Sequence, residues 1–221
     1  MIKKIMKFVE ELATMEAMPN VHNQYSYKYK ENSVRRDNLV IYLKEMHKLK
    51  PKIILVGEAP GYRGSLITGV PYTSEYLLMN NMKGLELFGK DKGYRLPLEK
   101  DKLLKEPTAT IIWNTLLKYD IMMLGWNAFP FHPYRKGNEE SNRTPLKKEL
   151  LIGEKPLLEM IEMFNIEKVI AMGNKAEESL NKLGVSCEKV RHPAQGGKND
   201  FDESIRKIKE ISIIFKRPEH I

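Results

Sequence analysis

At 221 residues the chain is long enough to bury a real core as one large domain. Its 42% hydrophobic and 30% charged residues are a globular mix, not a disordered one. Lys and Arg outnumber Asp and Glu by 37 to 29, a formal net charge of +8 that suits a polyanionic partner, because cations that neutralise phosphates release counterions. The single cysteine, Cys187 in LGVSCEKV, excludes an intrachain disulfide or cysteine cluster and reads as a buried thiol.

In chain order, Ile5, Phe8, Val9 and Leu12 recur at helical spacing, and Glu10 and Glu11 stand where a signal peptide would need an apolar run. The tyrosine-rich MPNVHNQYSYKYKENS reads as an irregular loop, and a second helical pattern runs from about Val34 to Leu49, ended by Pro51. Lys52 to Val56 is a short β-rich run, broken at once by GEAPGYRG. Helical periodicity returns from Thr108 to Lys118 and leads into the apolar run Ile121 to Trp126. Pro145 opens a helix to about Phe164. Strand Lys168 to Met172, helix Asn174 to Leu183, strand Val185 to Val190 and a last helix from about Asp200 to Lys216 complete the pattern. No run approaches the length needed to cross a bilayer, so no membrane partner is expected. The expected address is the cytoplasm, and the expected state is a monomer.

Strands alternating with helices, without tight hairpins, predict one α/β domain over 1–221. The expected architecture is a three-layer αβα sandwich around a mainly parallel sheet of about four strands. The polar loop Lys136 to Thr144 reads as an insertion over the sheet edge. Ligands of such sheets sit beyond the carboxyl ends of the strands, and the unusual segments fall there: GEAPG after the first strand, WNAFPFHP after the second, GNK after the third and RHPAQGG after the fourth.

Gly57, Glu58, Ala59, Pro60 and Gly61 form a tight loop whose glycines let a substrate approach the backbone. It is neither a Walker loop nor a dinucleotide fingerprint. The GEAPG loop resembles the first motif of the iron–sulfur-type uracil-DNA glycosylases, and GVPYTSE from Gly69 is similar to their G-x-P-F segment. Asn127 with Asn142-Arg143-Thr144-Pro145 matches their N…NR-P pattern, and His192-Pro193-Ala194 their closing H-P-S/A motif. Four ordered matches thus span Gly57 to Gly197. Two departures are visible. One thiolate cannot hold an iron–sulfur cluster, so the resemblance is to a cluster-free branch and no cofactor is expected. The best-known branch also carries Asp where Ala59 stands and an aromatic wall where Gly61 stands.

The resemblance implies removal of a deaminated base, uracil first, from single- or double-stranded DNA, leaving an abasic site for base excision repair. It casts His192 as the donor to the departing base and Tyr72 as the aromatic that stacks on it. The Asn127 amide pairs with N3–H and O4 of uracil, whereas cytosine presents the opposite pattern. Glu58 and Glu75 are both candidates to activate water, and the sequence does not choose between them. Ser74, Arg191, Gln195 and Lys198 are candidate phosphate contacts. His132-Pro133 duplicates the His-Pro dipeptide, but only His192 is followed by the glycine-rich AQGGKN. A metal site from His132, His192 and a glutamate lacks supporting spacing. The rival readings are a glycosylase for hypoxanthine or xanthine, favoured by Gly61, and a silent DNA- or base-binding relative, favoured by Ala59.

Overall fold

The computed structural model describes residues 1–16, 18–98 and 101–214, with side chains through 210. Its centre is a parallel sheet of β2 (Ile53–Gly57), β3 (Met123–Asn127), β5 (Lys168–Met172) and β6 (Glu188–Val190) in the order β3-β2-β5-β6. Every residue of β2 and β3 is buried, as continuous apolar runs require when both faces are covered.

Alternation along β3 assigns the faces. Trp126 meets Phe8 of α1 (Ile2–Thr14), with ring centroids 5.5 Å apart, and α6 (Lys147–Met163) packs beside α1. Gly125 faces the other way, where Tyr42 of α2 (Asn32–Leu49) hydrogen-bonds its backbone and Trp113 of α5 (Pro107–Lys118) packs against Phe88. The final helix, α8 (Lys198–Ile214), joins α5 through Asp202, which accepts from Lys118 and Tyr119. The result is the expected three-layer αβα sandwich. Between β5 and β6 lies α7 (Asn174–Lys182), and the short helices α3 (Ser65–Thr68) and α4 (Glu75–Asn80) follow β2.

Most boundaries fall where local chemistry puts them. The Val185 N–H closes onto Leu180 O at the end of α7, so β6 starts at Glu188 and not at Val185. Similarly, the Ile121 N–H caps α5 on Leu116 O, which delays β3 to Met123. The expected end of the last helix, Lys216, lies outside the described residues.

One expectation changes. The tyrosine-rich segment is not wholly irregular, because Val21–His22 forms β1, antiparallel to β4 (His132–Pro133). The loop 136–144 lies at the end of the edge strand β3 and of its neighbour β2. It folds over the carboxyl ends of β2 and β3, where the Glu139 carbonyl meets His132 Nε2 at 3.1 Å and Asn142 Oδ1 accepts from the Tyr62 N–H at 3.2 Å.

Candidate active site

The loops after all four central strands meet in one cavity of about 780 Å³ at the carboxyl end of the sheet, the size and place expected of a small-molecule site in an open α/β sheet. Parallel register sets Gly57 directly beside Asn127, and the chains stay zipped past the strand ends through Ala128 N–H to Gly57 O (2.9 Å) and Phe129 N–H to Glu58 O (3.0 Å). The whole GEAPG loop lines the cavity, as do Tyr72, Asn127, His192, Arg191 and Gln195.

Glycine is required at the join. A Cβ on Gly57 would lie 2.7 Å from Asn127 Oδ1 and 2.8 Å from the Tyr72 hydroxyl, so the missing side chain is the space those two groups occupy. Asn127 is buried, yet among the described residues no hydrogen bond ties its amide down. Its amide is instead open to the cavity, where a ligand or water can pair with it.

Tyr72 is held firmly. Its φ of 52° is an unfavourable backbone conformation for an aromatic residue. The hydroxyl donates toward Trp126 O (2.9 Å) and Leu55 O (3.2 Å), and Trp113 Nε1 donates to Tyr72 O at 2.8 Å. A Cβ on Gly125 would overlap the ring at 2.7 Å. Three hydrogen bonds and two glycines thereby fix a half-buried ring in the cavity wall.

His192 follows β6. Its Nδ1 accepts the Ala194 N–H at 3.1 Å, and because a backbone amide can only donate, a neutral imidazole here carries its proton on Nε2. Burial lowers the His192 pKa; Glu106 opposes the shift and Arg191 adds to it. The loop can turn back tightly because a side chain on Gly197 would collide with the His192 carbonyl.

Glu58 is half-buried, and its Oε1 is enclosed without a partner. Burial raises its pKa; a hydrogen bond from Thr144 and the charge of Lys175 pull the other way, while Glu178 adds to the rise. A desolvated carboxylate that lines the same cleft as a histidine is a candidate for acid–base chemistry.

Three candidates lie elsewhere. Glu75 opens α4 and accepts the Leu104 N–H at 2.9 Å, so it anchors a loop outside the cavity lining. Ser74 is buried and caps α4 by accepting the Leu77 N–H at 3.2 Å, which leaves no hydroxyl facing DNA. Lys198 is exposed at the start of α8, beyond the lining.

His132 is fully buried. Its Nδ1 stands 2.8 Å from Pro60 O and its Nε2 3.1 Å from Glu139 O, so it staples GEAPG to the 136–144 loop and does not enter the cavity. Arg143 forks onto Glu149 at 2.7 Å on both nitrogens and also reaches Tyr134 O and Asn20 O. That clamp holds Asn142 above Gly61, whose missing Cβ would find only the Asn142 amide, at 3.9 and 4.0 Å.

The sequence reading missed Glu106, which lines the cavity and caps α5 by accepting from the Thr108 and Ala109 N–H groups. Its one visible signal was the Glu-Pro step at a helix start. Lys105, Lys175, Tyr62 and Arg63 also line the cavity. Among the described residues no group of three or more His, Cys, Asp or Glu could hold a metal ion. The lone Cys187 cannot supply the four thiolates of an iron–sulfur cluster, so the residues present do not fit that group.

The family model for the uracil DNA glycosylase superfamily matches residues 44–215, which takes in every loop of the cavity. No curated protein matches the chain.

Proposed function

The chain belongs to the uracil DNA glycosylase superfamily, and from that premise we propose that it is a monofunctional glycosylase hydrolysing the N-glycosidic bond of uracil in DNA. Membership carries the coarser statement, a DNA-repair hydrolase of the glycosylase type acting on DNA. Uracil as the substrate, simple hydrolysis as the chemistry and a monomer as the working form are part of the reading.

The observation that carries it is the His192 imidazole, whose Nδ1 is engaged by Ala194 so that the Nε2–H is left for a ligand in the cavity shared with Asn127, Tyr72 and Glu58. The base departs as an anion while the sugar gains positive charge, so the site must donate to the base and place water at the sugar. His192 Nε2–H donates to a carbonyl oxygen of the departing base. Burial keeps the imidazole neutral, which suits a hydrogen-bond donor to a leaving anion. The Asn127 amide, without internal partners, pairs with N3–H and O4. The Tyr72 ring supports the extruded base, whose unstacking from DNA costs a few kcal/mol. Glu58 accepts a proton from water, its raised pKa lying nearer neutrality than that of an ordinary carboxylate. Arg191 and Gln195 at the rim meet the flanking phosphates.

Hypoxanthine or xanthine is the second substrate reading, supported by the open space over Gly61. Incubating the protein with oligonucleotides carrying uracil, hypoxanthine or a thymine mismatch, followed by alkaline cleavage of abasic sites, separates these. Uracil release supports the proposal, hypoxanthine release alone moves the specificity to purines, and DNA binding without release of any base leaves a silent relative.

A further inference from the structure

We infer that the tyrosine-rich face beside the cavity is a stacking platform for unpaired DNA flanking the extruded base, an inference that rests on the DNA-glycosylase reading. Tyr27 and Tyr29 are 57% and 40% exposed, two aromatic faces two residues apart on one loop that a base can stack on. Each is already half of a stack. The Arg36 guanidinium carbon sits 4.3 Å from the Tyr27 ring centroid, and His22 lies nearly parallel to Tyr29 at 5.5 Å and 14°.

The loop that carries these rings is rigid. Asn23 Nδ2 donates to Leu12 O and Met15 O, Asn32 Nδ2 to Asn23 O and Ser26 O, and Arg36 to Tyr25 O. Rings held this way lose little freedom on binding.

The platform abuts the active cavity. Val21 pairs with Pro133, a cavity residue, and the next residue, His22, pairs with His132 and stacks on Tyr29, so the β1–β4 ribbon links the platform to the cavity lining. Tyr134 continues the row, its ring 6.1 Å from that of His132.

Charge identifies the occupant. Among the described residues Lys28, Lys30, Arg36, Arg135 and Lys136 belong to no ion pair. Aromatic faces interleaved with uncompensated cations fit a chain that presents bases and phosphates in alternation, which is a single strand and not a duplex whose bases are stacked inside.

The test measures binding of an undamaged fluorescent 20-mer, single-stranded and as a duplex, by anisotropy. Tyr27→Ser/Tyr29→Ser is expected to weaken single-strand binding by about tenfold or more and duplex binding far less. Tyr27→Phe/Tyr29→Phe, which keeps the rings, is expected to retain wild-type affinity. Unchanged single-strand affinity in the serine variant overturns the inference, as does an equal loss in the phenylalanine variant, which would make the hydroxyls and not the rings responsible. Base release from a trinucleotide, too short to reach the platform, is expected to be the same in both variants as in wild type. If wild type binds as described and releases no base, the catalytic proposal fails and the platform stands.

Discussion

Four side chains carry the proposed chemistry, and each owes its position to a different local device. His192 is oriented by one backbone amide, Asn127 by strand register opposite Gly57, Tyr72 by hydrogen bonds to two strand carbonyls, and Glu58 by a loop that leaves one oxygen enclosed and unpaired. His192→Ala and Asn127→Ala are each expected to lower base release by about 10²–10⁴-fold. Neither side chain holds structure together beyond the Ala194 contact, so differential scanning fluorimetry is expected to show nearly unchanged melting temperatures.

Glu58 makes a sharper prediction because burial raises its folded pKa. Such a group favours folding in acid, and that advantage is lost as pH rises through the raised value, so at neutral pH the buried carboxylate costs stability. Glu58→Gln is therefore expected to melt somewhat higher than wild type at pH 7–8 while losing activity, with the difference in melting vanishing in acid. Wild-type activity is expected to fall as pH drops through the raised Glu58 value. His192, its pKa lowered by burial, charges below the usual histidine range and then loses its acceptor at Nδ1. At this scale the meeting of His192, Asn127, Tyr72 and Glu58 in one cavity was legible because their segments match motifs of the family in order. Glu75 and Ser74 fall outside the cavity lining, since an acid or hydroxyl beside a motif looks the same in sequence whether it anchors backbone or faces a ligand. Glu106 was hidden because nothing local connects residue 106 to a loop after β6.

At the scale of elements, the site exists because parallel strands deliver their carboxyl ends to one side, so loops far apart in sequence meet. Apolar runs bounded by glycine and proline made the four strands readable, and helical periodicity made the principal helices readable. The β1–β4 pair was not, for two residues are too few to show alternation and the pairing is long-range. The contacts of the loop 136–144 were not readable either, because its position depends on Arg143 gripping Glu149 and on His132 reaching Pro60. Packing under the site is tight at Gly153 of α6, where a Cβ would collide with the Ala128 carbonyl just past Asn127. A mid-helix glycine gives up about 0.5–1 kcal/mol relative to alanine, so its presence reports the close approach. Gly153→Ala is expected to destabilise the fold by about 1–3 kcal/mol in urea denaturation, overpacking outweighing the gain in helix propensity. It is also expected to lower activity by shifting the 127–129 segment.

Across the molecule, a net charge of +8 and a cavity at one end of the sheet fit the proposal that the protein meets DNA with one surface. Rim residues Arg191 and Arg63 and the unpaired cations near β1 share that side through the cavity and the β1–β4 ribbon, while α1 and α6 lie behind the sheet, joined by the Lys155–Glu11 pair. We propose that the chain works as one domain, since the helices that close the core also seat the loops of the site. The most direct measurement of the central claim is a crystal structure with free uracil and a strand containing an abasic site. The account predicts uracil on the Tyr72 ring, the Asn127 amide paired with its N3 and O4 edge, and His192 Nε2 within hydrogen-bonding distance of a carbonyl oxygen. Uracil bound elsewhere, or His192 turned away from a base in the cavity, would contradict it.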